Sequence, residues 1–212
     1  RYIDPDAAVG GDGTTTSLTG ANCAYRSLSI WEADRQGNLV TAGNIERAVC
    51  QSTHANHTAD TTAVTIYGST TSASCYMEIT VASGSRHSGV WSDSKYRLTG
   101  SGNLIIAYNS FIKISGLQLK ATASSGANSG IIYSANVEGV AGSTIWISHC
   151  IITAAWTGTA SGKGINAQHT NAYIWNCLVY DLVNGTTDCQ GIVAINAGHI
   201  VRSCTAVNVL SH

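Results

Sequence analysis

The apolar residues of this chain fall into short alternating runs bounded by polar breaks. "NAYIWNCLVYDLVNG" (171–185) and "GHIVRSCTAVNVLSH" (198–212) share one phrase: an apolar residue, two variable residues, Cys, one residue, an apolar residue, then a break. Alternation sends successive side chains to opposite faces, so each run predicts a short strand with one buried face. The phrase can be placed four times, at Ile114–Leu117, Ile147–Cys150, Ile174–Cys177 and Val201–Cys204, with a further apolar slot at Leu119, Ile152, Val179 and Ala206. The Cys slots lie 33, 27 and 27 residues apart. Two further features keep step: Gly-Ile pairs at 130/131, 164/165 and 191/192, and a strand-like piece at 154–156, 181–183 and 208–210.

Self-similarity at this period marks a stacked-repeat architecture. The pattern inside each repeat is alternating and β-branched, so each repeat predicts a coil of short strands. Coils of that kind stack as parallel sheets, a parallel β-helix with equivalent residues piled in ladders. Free Cys behaves as a small buried hydrophobe. Cys150, Cys177 and Cys204 are therefore expected to form an interior ladder above Leu117, as reduced thiols. Trp146 lies between Ile145 and Ile147, and Trp175 follows Ile174, so both indoles are expected on the outer face. With Tyr173 they predict an exposed aromatic stripe, Trp156 being a further indole of the repeats. Such stripes mark interfaces, and subunit packing is preferred here over a sugar-stacking platform.

The first quarter reads differently. Residues 4–16 form a Gly/Asp/Thr loop, and "SLSIWEADRQGNL" (27–39) carries the one good helix signal. Ser29 followed by Glu32 suggests a capping box, Gly37-Asn38 a stop, and Leu28, Trp31 and Leu39 the buried anchors. Strands are expected within 44–50, 62–68 and 75–81, then a polar excursion over 83–100. The domain reading is an N-terminal arm and capping helix over 1–43, then the β-helix over 44–212 with clear repeats from about 103.

Composition narrows function. The formal net charge of the 212 residues is -1, which gives no basic surface for nucleic acid or acidic membranes. Charged residues make up 11%, against about 25% in an ordinary globular chain. No run approaches the ~18 apolar residues of a membrane helix. Seven cysteines cannot all pair within one chain, and none forms C-x-x-C, so neither a zinc site nor a redox motif is read. No cofactor motif is present.

Candidate chemistry is sparse. β-Helix lyases and hydrolases need clustered carboxylates with a base on one outer face. The repeats carry only Glu138, Asp181 and Asp188, and no slot repeats an acid. A His149/Asp181/Lys163 constellation can be drawn, but scattered outer positions are the preferred reading. Asp4, Asp6 and Asp12 could offer oxygens to Ca²⁺, yet a turn-rich arm accounts for them as well. His54 and His57 lack a third metal ligand. Sequons occur at 56–58 and 184–186.

The repeats resemble the right-handed parallel β-helix, or pectin-lyase-like, superfamily. The phrases "YIDPDA", "DGTTTSLTGANCAYRSLSIWEA", "TADTTAVTIYGSTTSASCYMEITV" and "RHSGVWSDSKYRL" resemble, more narrowly, a family of phage-encoded and environmental proteins. In that family a helix like "SL..WEA" precedes a "TTAVTI" strand and an "RH.GVWD..KYRL" segment, and a β-helix follows. The resemblance implies a non-enzymatic structural component of a phage virion, such as a capsid decoration or a fibre, whose partners are other capsid or tail proteins. The alternatives are a secreted carbohydrate-active β-helix enzyme and a glycan-binding module. The 27–39 helix is expected to cap the first coil. The last coil, ending at "VLSH", is expected to be covered by a partner subunit or by further residues. A homo-oligomer is therefore expected, a trimer by analogy with phage β-helices.

Overall fold

The structure is a computed structural model, and it describes all residues except 124–126, 135–142, 158–160, 169–170, 185–188, 196–197 and 212. The chain opens with β1 (Tyr2–Ile3) and two short helices, α1 (Leu28–Arg35) and α2 (Leu39–Ala42). Three circuits follow: β2 (Glu46–Cys50) and β3 (Val64–Ile66); β4 (Met77–Val81), β5 (Arg97–Ser101) and β6 (Ile105–Ala107); then β7 (Ile112–Ser115), β8 (Gln118–Ala123), β9 (Ala127–Asn128) and β10 (Ile132–Ser134). The pattern continues through β11 (Thr144–Ser148), β12 (Ile151–Trp156) and β13 (Ser161–Ala167). It then runs through β14 (Asn171–Trp175), β15 (Leu178–Asn184) and β16 (Cys189–Ala194), and last through β17 (Ile200–Arg202) and β18 (Thr205–Ser211).

These strands form three sheets in which every pairing between strands is parallel. The first sheet runs β1-β2-β4-β7-β11-β14-β17, the second β5-β8-β12-β15-β18, and the third β3-β6-β10-β13-β16 with β9 beside β13. From β4 onward the chain visits first, second and third sheet in rotation. Each circuit therefore lays one rung on the rung before. In the first circuit the second sheet is reduced to a single bridge, Asp60 to Leu98.

Parallel pairing without slippage stacks like on like. In the first sheet Ala48, Ile79, Ile114, Ile147 and Ile174 form one inward column, with Val201 at its far end. Leu98, Leu119, Ile152 and Val179 do the same in the second sheet, and Val64, Ile105, Ile132 and Ile165 in the third. All of these are buried except Val201, which is 45% exposed in the final rung.

Leu117, Cys150, Cys177 and Cys204 occupy one slot in successive rungs. The amides of Ile151, Leu178 and Thr205 donate to the carbonyls of Leu117, Cys150 and Cys177 at 2.8, 2.9 and 2.9 Å. Leu117, Cys150 and Cys177 are buried, Cys204 is half-buried, and all seven cysteines are free thiols. Each ladder thiol donates to the carbonyl two residues earlier, of Ser148, Trp175 and Arg202. Contact with Cys150, and then burial, push the Cys177 thiol far up; burial raises Cys204.

The slot before each of these is the corner between first and second sheets, and it is left-handed every time. Gly116, His149, Asn176 and Ser203 have φ of 78°, 53°, 53° and 52°. Asn and His tolerate this region better than most side chains, and the corner recurs because the rungs share one backbone path.

Three expectations need correction. The first Gly-Ile pair is out of register by one residue, since Ile132 and not Ile131 pairs with Ile165, while the later two are in register, Ile165 pairing with Ile192. Ile131 and Ile132 are both buried, so the pattern offered two registers one residue apart. The choice matters at Gly164, where a Cβ would lie 2.5 Å from Val179 Cγ1 as the third sheet closes on the second. The pieces at 154–156, 181–183 and 208–210 are not separate strands but the continuations of β12, β15 and β18. Within β15 and β18, Asp181 and Asn208 turn left-handed (φ 54° and 51°) and drop out of the pairing, whereas Ala154 stays paired with Ala121. Finally, α1 is capped by Ser27, whose hydroxyl accepts from the Ile30 amide at 3.2 Å, not by Ser29. Asn38 caps α2, so the expected stop is also a second start.

α1 packs on β2 and β3, with Leu28 and Trp31 fully buried and Leu39 of α2 nearly so. Three acids tie this helical segment down. Glu46 accepts from the Trp31 indole at 2.9 Å and from Arg35 at 3.3 Å. Glu32 accepts from the Tyr67 amide and from Gln36. Asp60 accepts from the Leu28 amide, the Tyr96 hydroxyl and the Thr62 amide. The excursion over 83–96 folds onto the second sheet, where the buried side chain of Gln118 bonds Ser92 and Tyr96.

Burial raises the Asp60 carboxyl above its ordinary 3.8, against the pull of its three donors. Raised in the folded state, this acid adds stability that is full below the unfolded value and is lost as pH climbs through the folded one. The thermal-stability margin of the wild type over Asp60→Asn should therefore be largest near pH 4 and shrink as pH rises. Paired melting curves from pH 4 to 8 check this; a margin that grows with pH contradicts it.

Candidate functional site

The outer face of the first sheet carries the densest concentration of reactive and aromatic side chains. Strand pairing puts Arg47, Glu78, Lys113, Trp146, Tyr173 and Ile200 in one outward column. A second outward column holds Thr80, Ser115, Ser148, Trp175 and Arg202. Beyond it lies the left-handed corner with Gly116, His149, Asn176 and Ser203.

The first column is a ladder of unlike partners, in contact at Arg47–Glu78 and again from Lys113 through Trp146 to Tyr173. Arg47 Nε meets Glu78 Oε2 at 2.6 Å. Lys113 Nζ sits 3.7 Å from the centre of the Tyr76 ring and 5.3 Å from that of Trp146. Trp146 and Tyr173 stack at 5.9 Å with planes 12° apart, and Phe111 flanks Trp146 at 6.4 Å. The stacking runs along the axis of the rungs. One face of Trp146 is thus covered by Tyr173 and the other approached by the Lys113 ammonium, which leaves mainly its edge to solvent. A sugar ring stacks on an open aromatic face, and Trp146 has none to give.

Trp175 is placed differently. Its neighbours in its own column are Ser148 and Arg202, and the His149 imidazole meets it edge-on at 6.4 Å. Two clefts adjoin it. One of about 280 Å³ is lined by Glu78, Lys113, Ser115, Trp146, Ser148 and Trp175. The other, about 520 Å³, lies toward the final rung between Trp146, Tyr173, Trp175, Asn176, Ile200 and Arg202. Small hydroxyl residues in the second column make the first cleft; the short final rung opens the second. Trp156, by contrast, points inward and is buried.

The other constellations drawn from sequence are not brought together. His149 lies at the corner with Asn176, Asp181 Oδ1 accepts from Asn208 at 2.9 Å in the second sheet, and Lys163 is in the third. Asp4 is buried and accepts from Thr53 and the Asp6 amide, Asp6 accepts from Thr58, and Asp12 from the Thr14 amide. That is three separate loop clamps instead of one oxygen cage. His57 bonds Ser52, and His54 accepts from the Asn56 amide. Asp34 accepts from the Tyr25 hydroxyl, and Asp93 pairs with Arg97 and Trp91. Glu46 and Asp34 both act on the Arg35 charge, but among the described residues no two carboxylates share a hydrogen-bond donor, and no group of three His, Cys, Asp or Glu could hold a metal. Glu138, Asp188 and the 185–186 part of the second sequon lie outside the described residues.

Lys113, Tyr76 and Phe111 were not singled out from sequence. Lys113 precedes Trp146 by the same 33 residues that separate Leu117 from Cys150, so the period itself could have placed it. Tyr76 and Phe111 sit at strand entries, where no period applies. Searches against protein-family models, curated proteins and solved structures return no match for this chain.

The ladder predicts an energetic coupling. A double-mutant cycle on Lys113→Met and Trp146→Leu, read by chemical denaturation, should give about 0.5–1 kcal/mol of favourable interaction, the range of a partly exposed cation–π contact. A coupling of zero would mean that Trp146 does not help to hold the ammonium, which is then left to Tyr76 and solvent.

Proposed function

We propose that the chain is a non-enzymatic structural protein of a phage particle, a capsid decoration or fibre component. In this reading it is built as a right-handed parallel β-helix with a short helical cap and works as a homo-oligomer, a trimer by resemblance. The observation that carries the reading is how the polar side chains are used. Every described carboxylate is engaged in holding a loop, a helix or a neighbouring rung, and no two share a hydrogen-bond donor. An acid–base enzyme needs the opposite arrangement. The outward column Arg47–Glu78–Lys113–Trp146–Tyr173 likewise joins rung to rung. A chain whose side chains mainly fasten successive rungs suits a rigid projecting part. Trp146, Tyr173 and Trp175 give that part an aromatic edge on which subunits or other capsid or tail proteins can pack.

One observation favours a second reading, a secreted β-helix that binds glycans. Trp175 borders two open clefts, with the hydroxyls of Ser115 and Ser148 lining the smaller. Trp146 does not serve that reading, since its faces are already occupied.

Light scattering at micromolar concentration separates the outcomes. The proposal expects a multiple of 22.1 kDa, threefold for the trimer, and Trp175→Ala should lower it. A monomer at every concentration contradicts the oligomeric part. Mass spectrometry of purified particles whose genome encodes the chain should recover it in stoichiometric amount; its absence there contradicts the virion assignment.

A further inference from the structure

The corner between first and second sheets holds positive charge that no described residue neutralises. Arg86, from the excursion over 83–96, lies against Gly116: a Cβ on that glycine would be 2.9 Å from Arg86 Nε and 3.3 Å from Cζ. Gly116 and His149 occupy the same corner slot in successive rungs, which stack about 4.8 Å apart. The guanidinium is thereby set beside the imidazole. Arg86 makes no ion pair and no side-chain hydrogen bond among the described residues. The nearby acids are spent elsewhere, Glu78 on Arg47 and Asp93 on Arg97. Lys113 and Arg202, which face the adjoining clefts, add to the positive side.

His87 fixes this arrangement. Its Nε2 bonds the His149 carbonyl at 2.8 Å, and its Nδ1 accepts from the Gly89 amide at 3.1 Å, so both ring nitrogens are used. It anchors the loop that delivers Arg86. His149 is different. Its Nε2 meets Asn176 Nδ2 at 3.1 Å; with that amide donating, the ring proton sits on Nδ1, which has no partner among the described residues. The ring is also held edge-on against Trp175. Burial, and then Arg86, lower the His149 pKa, as expected for a cation-forming group in an uncompensated positive site.

The geometry points to an oxyanion-binding site at this corner, in which the Arg86 guanidinium and the His149 imidazole hold a carboxylate or sulfate group beside the Trp175 ring. The planar guanidinium presents paired donors to such a group, and His149 Nδ1 supplies a further donor. Bound anion stabilises the protonated imidazole, so affinity rises as pH falls through the His149 titration. His87 is a positioning residue. The site is independent of the particle assignment and would serve a free anion or an acidic group on a larger ligand equally.

Imidazole NMR titrations with sodium sulfate, sodium acetate and sodium chloride at matched ionic strength test this. Sulfate or acetate should raise the His149 pKa saturably, and chloride should not; the stronger of the two identifies the anion class. Arg86→Gln should weaken the response about tenfold or more, the scale of a charge-assisted hydrogen bond. Arg86→Lys, which keeps charge but loses the fork, should fall between. Lys120→Gln, in the second sheet, should leave it unchanged. An equal response to chloride, or a response that survives in folded Arg86→Gln, overturns the site. If Arg86→Gln does not fold, the Arg86→Lys result decides: no weakening there counts against the site.

Discussion

The hydrogen bonds between successive rungs are the constraint on which everything else here rests. Because they run in parallel register from β2 to β18, each residue lies over its equivalent in the rung before. The interior must then be built from side chains that tolerate their own kind as neighbours. Ile79, Ile114, Ile147 and Ile174 meet that demand in the first sheet, and Leu117, Cys150 and Cys177 meet it at the corner. The same register acts outside. Arg47 faces Glu78, Lys113 faces Trp146, and Trp146 faces Tyr173, so unlike partners attract along the axis where like charges would repel.

The register also explains what was legible in the sequence. The Cys ladder could be read because the last three rungs keep one length, and a constant period needs no knowledge of the loops. The one-residue error at Ile131 arose where the period changes to 33 and two isoleucines compete for the inward slot. Side-chain alternation cannot resolve that; the pairing of Ile132 with Ile105 on one side and Ile165 on the other does. The capping error had a local cause. Ser29 and Glu32 fit the spacing of a capping box, but Glu32 is drawn away to the Tyr67 amide, and Ser27 is left to begin the helix. Tertiary contacts outweighed the local signal.

The candidate site was only half legible. Trp146, Tyr173 and Trp175 follow from alternation, and the structure brings them onto one face. Their unlike surroundings do not follow from it. Trp146 is enclosed by Tyr173 and Lys113, whereas Trp175 stands beside two serines and a histidine corner. Arg86 and His87 were invisible as site residues because they arrive on an excursion that belongs to no repeat. Geometry places Arg86 over Gly116, the one of the four corner slots without a side chain, and His87 against the His149 carbonyl. Many side chains are tied into rung-to-rung contacts, and the few donors left unspent among the described residues, the Arg86 guanidinium and His149 Nδ1 foremost, are where the molecule can meet something else.

Through-hydrogen-bond NMR couplings test the central claim most directly, since they report which carbonyl each amide reaches. The account predicts couplings from the Ile151, Leu178 and Thr205 amides to the carbonyl carbons of Leu117, Cys150 and Cys177. Couplings to residues one position away, or to none in a folded sample, would contradict the register and with it the stacked interior, the outer ladder and the corner site.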